Sequence, residues 1–131
     1  MTTRSSVHLI DSSAWIEILR NRSENPLKML IAQSLESKTA AMTEPVWFEL
    51  SRGVRGKKEQ SHLASLRHLC QWLSFDERCW EQATKLGIHC VRAGLNVPTG
   101  DLLVAACARR HSAKLIECDK HFRMIDQACP A

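Results

Sequence analysis

Three aspartates stand where an α/β chain places its chemistry. Asp11 directly follows the apolar run VHLI, Asp119 follows KLIEC, and Asp101 falls in the first turn of an Ala-rich helix signalled by Pro98 and Thr99. A further acid comes from the short helix expected after Pro45, where Glu49 is the candidate and Glu44, five residues earlier, the alternative. Three or four carboxylates at one point repel one another, so at least one takes up a proton unless a cation compensates. A divalent ion is the simplest compensation. Oxygen donors without a His/Cys set favour magnesium or manganese over zinc. Such a site lowers the pKa of a bound water and stabilises charge in an in-line phosphoryl displacement. Taken singly, each acid has a blander reading. A strand-end Asp often caps a helix or forms a turn, Asp101 suits the helix dipole, and Glu49 suits a solvated helix face. The joint pattern favours the metal site.

The elements that must position these acids can be read from periodicity. VHLI is a strand candidate, and SSAWIEILRN (12–21) has apolar residues at 14, 15, 18 and 19, a helical spacing for which Ser12 and Ser13 are suitable N-cap residues. PLKMLIAQSL (26–35) is a second amphipathic helix opened by a proline. A short strand over 40–42, a helix from Thr43 and Pro45 to Gly53, and a helix over 57–73 follow. After a break at SFD comes a helix ended by Gly94, then the Asp101 helix as far as His111, and a strand over 114–118. This order predicts one α/β domain over 1–131, three α/β/α layers with a small, mostly parallel sheet surrounded by helices. Ligands in such sheets sit outside the carboxyl ends of the strands, where Asp11 and Asp119 fall.

The 131 residues are 44% hydrophobic and 24% charged, and only 5% aromatic, which suits a helix-rich domain and argues against a β-sandwich. The net charge of +4 is a mild tilt toward polyanions. Neither a signal-peptide core nor a membrane-length apolar run is visible, so a cytoplasmic protein is expected. The six cysteines, at 70, 79, 90, 107, 118 and 129, contain no C-x2-C pair, and the Cys118/His121 pair lacks a second pair at a fitting distance. Reduced thiols filling core positions are expected, and structural zinc is not. Arg52, Arg55, Lys57 and Lys58 could hold phosphates or form a solvated loop. Trp15 and Trp47 could stack on bases, although core packing is favoured, and His121 is expected to be a bystander rather than a general base.

The blocks VHLIDSSAWIE, MTEPVWFELSRG and NVPTGDLLVAACARRHSAKLIECDKHF, with their spacing, resemble those of PIN-domain ribonucleases, in particular the VapC-type toxins of bacterial toxin–antitoxin pairs. The resemblance runs from Val7 to Ile125. It implies catalytic Asp11, Glu49, Asp101 and Asp119 around magnesium or manganese, with Asp11 and Asp101 as direct ligands. Glu49 and Asp119 would bind through water or orient the nucleophile. The implied activity is metal-dependent endonucleolytic hydrolysis of RNA, and the implied partners are an RNA substrate, a VapB-type antitoxin and a second copy of the chain. One departure is Glu117, where the family usually has Thr or Ser two residues before the last acid. It keeps open a degenerate domain that binds RNA or a protein without cleaving. An aspartyl phosphatase would need a second Asp at position 13, which is Ser13.

Overall fold

In the computed structural model, which describes residues 6–20 and 26–130, apolar runs too short to be self-sufficient become a sheet because helices cover them. The elements run β1 (His8–Ile10), α1 (Ser12–Arg20), α2 (Pro26–Glu36), β2 (Ala40–Met42), α3 (Glu44–Arg52), α4 (Gly56–Leu69), β3 (Gln71–Trp72), α5 (Glu77–Arg92), α6 (Thr99–Arg110), β4 (Lys114–Ile116) and α7 (Lys120–Ala128). The sheet has the order β3-β2-β1-β4, and every neighbouring pair is parallel. Leu9 lies in register between Ala41 and Leu115. Leu9, Ile10, Ala40, Ala41 and Met42 are fully buried, the continuous apolar pattern of a parallel strand covered on both faces.

Strand order grows from β1 toward β2 and β3 on one side, while β4 joins on the other. That reversal opens a crevice at the carboxyl ends of β1 and β4, held together by the Asp11 N–H donating to the Ile116 carbonyl at 2.9 Å. α6 delivers its first turn to this crevice. Its stretch Val104–Ala108 is buried at five successive positions, which small side chains permit, and it packs on α5 through Ala83, Leu86 and Cys90. α4 contributes no fully buried residue and faces solvent.

Several expectations need amendment. The helix expected over 57–73 ends at Leu69, and Gln71–Trp72 pairs with β2 instead, extended by the Leu73 N–H donating to the Met42 carbonyl at 2.8 Å. Two residues show no period, so only tertiary pairing creates that strand. The last strand stops at Ile116, and α7 follows Asp119. Asn21, the last residue of the first expected helix, lies outside the described residues. Trp15 is 3% exposed and Trp47 half-buried. Trp47 meets Trp72 edge to face at 5.8 Å between ring centres, and the Arg67 guanidinium lies over both rings. Cys79, Cys90, Cys107 and Cys129 are buried, Cys70 is half-buried, Cys118 is exposed, and all six are free thiols. Among the described residues, no helix is long and apolar enough to cross a membrane.

Candidate active site

Asp11 leaves the end of β1 as a buried carboxylate. Its Oδ2 accepts the Ser13 N–H at 3.0 Å and the Ser13 hydroxyl at 2.6 Å, so the aspartate caps α1 where Ser12 and Ser13 were expected to. Burial pushes the Asp11 carboxyl above its ordinary value, the Ser13 bonds pull it back, and the charge of Glu49 pushes it up again. Ser13 Oγ also accepts the Cys118 N–H at 3.0 Å, which ties the chain beyond β4 to the acid at the end of β1.

Glu49 arrives from α3. The Ser12 hydroxyl donates to its Oε2 at 2.6 Å, while its Oε1 lies where a Cβ on residue 100 would be. Position 100 must therefore be glycine if Glu49 is to keep this place, and α1, α3 and α6 close on one another through these three residues. Glu44 does not join them. Its Oε1 accepts the Phe75 N–H at 2.8 Å, anchoring the segment before α5.

Asp101, in the first turn of α6, has a side chain only 13% exposed. Burial is the main reason its carboxyl is pushed up to about 7, reinforced by a hydrogen bond with Asp119 and by the charges of Asp119, Asp11 and Glu49. Its Oδ2 is buried without a hydrogen-bond partner, and His121 Nδ1 lies 3.3 Å away. Asp119 caps α7 by accepting the His121 N–H at 2.9 Å, and its Oδ1 also faces His121 Nδ1 at 2.6 Å. Burial raises the Asp119 carboxyl, but its bonds with the His121 N–H, Asp101 and the His121 ring outweigh this and hold it below the usual range. Asp101 and Asp119 thus form an unequal pair, the carboxyl of one raised and that of the other lowered.

One donor atom each from Asp101, Asp119 and His121 lies within 4.8 Å of the others. The structure brings all four expected acids into one electrostatic field and draws Asp101 and Asp119 closest. Glu117 adds to that field. Burial raises its carboxyl, the Asp119 N–H and Arg123 oppose the rise, and the charges of Asp11 and Asp119 support it. A hard divalent cation fits this donor set, because it would satisfy the Asp101 oxygen that has no hydrogen-bond partner and offset the mutual repulsion of the carboxylates.

Ser12, Ser13 and Gly100 were not legible as supports, since Ser-Ser before a helix reads as capping and one glycine near a helix start reads as nothing in particular. His121 stands inside the cluster rather than beside it. Arg52, Arg55, Lys57 and Lys58 are exposed at the junction of α3 and α4, with the Arg52 guanidinium 5.9 Å from the centre of the Phe48 ring.

A strand-end acid at a parallel-sheet crevice, facing a helix-borne acid and a second strand-end acid, makes an acidic crevice whose oxygen donors could hold a divalent cation. The PIN domain model matches residues 8–128, and the chain belongs to that family. It is 32% identical over 121 residues to Ribonuclease VapC11 of Mycobacterium tuberculosis, covering 89% of this chain and 90% of the relative. Its fold matches the DNA-bound VapBC of Salmonella typhimurium with a TM-score of 0.76 at 13% identity, over 95% of this chain and 94% of that one. VapBC-1 of nontypeable Haemophilus influenzae matches equally, with a TM-score of 0.76 at 19% identity over 92% and 93% of the two chains.

Proposed function

We propose that the protein is a VapC-type ribonuclease toxin that hydrolyses RNA phosphodiester bonds with magnesium or manganese held by the acidic crevice. The observation that carries this reading is the convergence of Asp11, Glu49, Asp101 and Asp119, in which Asp101 keeps a buried oxygen without a partner and a carboxyl near pH 7. Asp101 and Asp11, the latter fixed by Ser13, would hold the ion directly, and Asp119 would bind it through water or orient the nucleophile. When bound, a divalent ion supplies Lewis-acid polarisation of the phosphoryl group and lowers the pKa of a coordinated water.

The chain's own residues do the rest. Ser12 holds Glu49 at the mouth of the site, where its carboxylate can orient a water by accepting a hydrogen bond. The His121 ring keeps Asp119 in place. Arg52, Arg55, Lys57 and Lys58 supply positive charge beside the Glu49 helix for the phosphates flanking the scissile bond. An antitoxin would cover the apolar residues exposed on α1 and α2, which include Ile16, Leu19, Met29 and Leu30. A second copy of the chain is the other partner in this reading.

The test is cleavage of a mixed pool of folded and unstructured RNAs by purified protein with manganese, with magnesium, with chelator, and by Asp101→Asn prepared identically. Metal-dependent cleavage absent from the variant is expected. Equal cleavage by the variant overturns the reading, because the activity then comes from elsewhere.

A further inference from the structure

A second group of metal-binding side chains lies at the opposite end of α6. Cys107 is in the last turns of that helix, His111 is its C-cap, and Cys79 sits in the first turn of α5. One donor atom from each, two sulfurs and a ring nitrogen, falls within 4.8 Å of the others. Both cysteines are fully buried and His111 is half-buried, so the group is closed on the sulfur side and open on the imidazole side. Backbone oxygen surrounds it. His111 Nε2 lies 2.8 Å from the Ser74 carbonyl, Cys79 Sγ 3.7 Å from the same oxygen, and Cys107 Sγ 4.0 Å from the Leu73 carbonyl. Glu44 adds a negative charge that reaches Cys107, and its Oε2 is buried without a hydrogen-bond partner.

We propose that Cys79, Cys107 and His111 form a zinc site that clips the start of α5 to the end of α6. Two thiolates and an imidazole are the donor set of a borderline-soft d10 cation, and the crevice oxygens are not. Bonds of about 2.3 Å to sulfur and about 2.0 Å to nitrogen would place the donors about 3.5–3.8 Å apart in a tetrahedron. From separations of no more than 4.8 Å, the group reaches that span by contracting at most about 1.3 Å, within the reach of side-chain rotation. Burial pushes the Cys107 thiol up to about 12 and the Cys79 thiol up as well, so without the ion both carry protons. Binding displaces those two thiol protons, draws the imidazole away from the Ser74 carbonyl and leaves the ring proton on the nitrogen that does not bind the ion. Ten residues of helix, about 15 Å, separate His111 from Asp101. The zinc site is therefore distinct from the crevice, and its three protein donors leave a fourth position for water on the open, imidazole side.

Cobalt substituted for zinc reports thiolate ligation by its sulfur-to-metal charge-transfer absorption, which oxygen ligands do not produce. Full-length, reduced, chelator-treated protein in excess magnesium is titrated with cobalt. The expected result is a charge-transfer band that saturates at one ion per chain, is bleached by zinc, and persists in Asp101→Asn and Cys118→Ser. Cys79→Ser abolishes it. His111→Gln, at a half-buried helix end that tolerates change, keeps the fold and weakens cobalt binding about 10-fold or more. Absence of the band in folded wild-type protein, its survival in Cys79→Ser, or its loss in Asp101→Asn overturns the proposal. So does thiol titration of the untreated protein showing Cys79 and Cys107 joined as a disulfide.

Discussion

α6 carries a cluster of donors at each end, and the two clusters solve the problem of buried polarity differently. At the amino end, Asp101 meets Asp119, with Asp11 and Glu49 close enough for their charges to act on it. At the carboxyl end, Cys107 and His111 meet Cys79. Burial raises the pKa of a group in each, to about 7 for Asp101 and to about 12 for Cys107. The consequence differs because the starting points differ. A thiol so raised is neutral throughout the physiological range and rests as a small hydrophobe. A carboxyl so raised titrates within that range and stays tense among like charges, poised to exchange its proton for a cation. The amino end is built from strand termini and helix caps that open to a crevice, and the carboxyl end from a helix–helix seam that closes.

The largest expected effect breaks the amino end. Asp101→Asn removes the proposed metal ligand, which is also the carboxyl raised to about 7. Cleavage should fall by about 10^3-fold, equivalent to about 4 kcal/mol of lost barrier reduction, measured as initial rate on a labelled RNA in manganese. Thermal melting without metal should rise at pH 7.5, since a buried charge has been deleted.

A sharper cut is Gly100→Ala. The added methyl meets the far end of Glu49, a flexible side chain that can swing away, and alanine favours a helix over glycine by about 0.8–1 kcal/mol. Cleavage should drop about 10–100-fold while the melting temperature holds or rises. A loss of both together would mean that position 100 serves packing and not the placement of Glu49. Ser12→Ala, which removes the 2.6 Å bond to Glu49 Oε2, should cost about 10-fold in rate by the same route.

The pH dependence of the metal-free protein separates the two ends further. Asp101 has a folded pKa of about 7, above its ordinary 3.8, so the native state holds this proton more tightly than the unfolded chain. Its contribution to stability is fully present below about pH 4 and is lost as pH rises through about 7. Asp119 is shifted the other way, and its smaller contribution is lost as pH falls below its usual range. Denaturant melts between pH 5 and 8 should therefore show stability falling with pH in wild type and a flatter profile in Asp101→Asn. Saturating manganese should abolish that decline. The smallest effect belongs to the carboxyl end: His111→Gln should leave RNA cleavage within about 2-fold, because losses of about 10–100-fold belong to groups that touch a ligand of the ion concerned.

Much of this arrangement was legible in the sequence, and the reason is local. Asp11 and Asp119 end apolar runs and Asp101 opens a helix, so each announces its place by its neighbours, and parallel-sheet topology then says where the places meet. The proline and glycine around α3 marked the helix that delivers Glu49. What was hidden depended on tertiary pairing. β3 is two residues long and exists through its bonds to β2. α7 begins on the Asp119 cap, a signal absorbed by the reading of that residue as a site acid. Gly100 matters only because Glu49, 51 positions earlier, occupies the space beside it. The Cys79, Cys107 and His111 group escaped for the same reason, since a search for closely spaced pairs cannot find donors that a helix–helix seam brings together.

The most direct test of the central claim is calorimetric titration of manganese into the chelator-treated protein at pH 7.5, side by side for wild type, Asp101→Asn and Cys79→Ser. The account predicts saturable binding in wild type and Cys79→Ser, with release of a proton that depends on Asp101, and at least a 10-fold loss of affinity in Asp101→Asn. Equal manganese affinity in wild type and Asp101→Asn would contradict it, because the crevice that Asp101 enters from α6 would then not be the place where the ion is held.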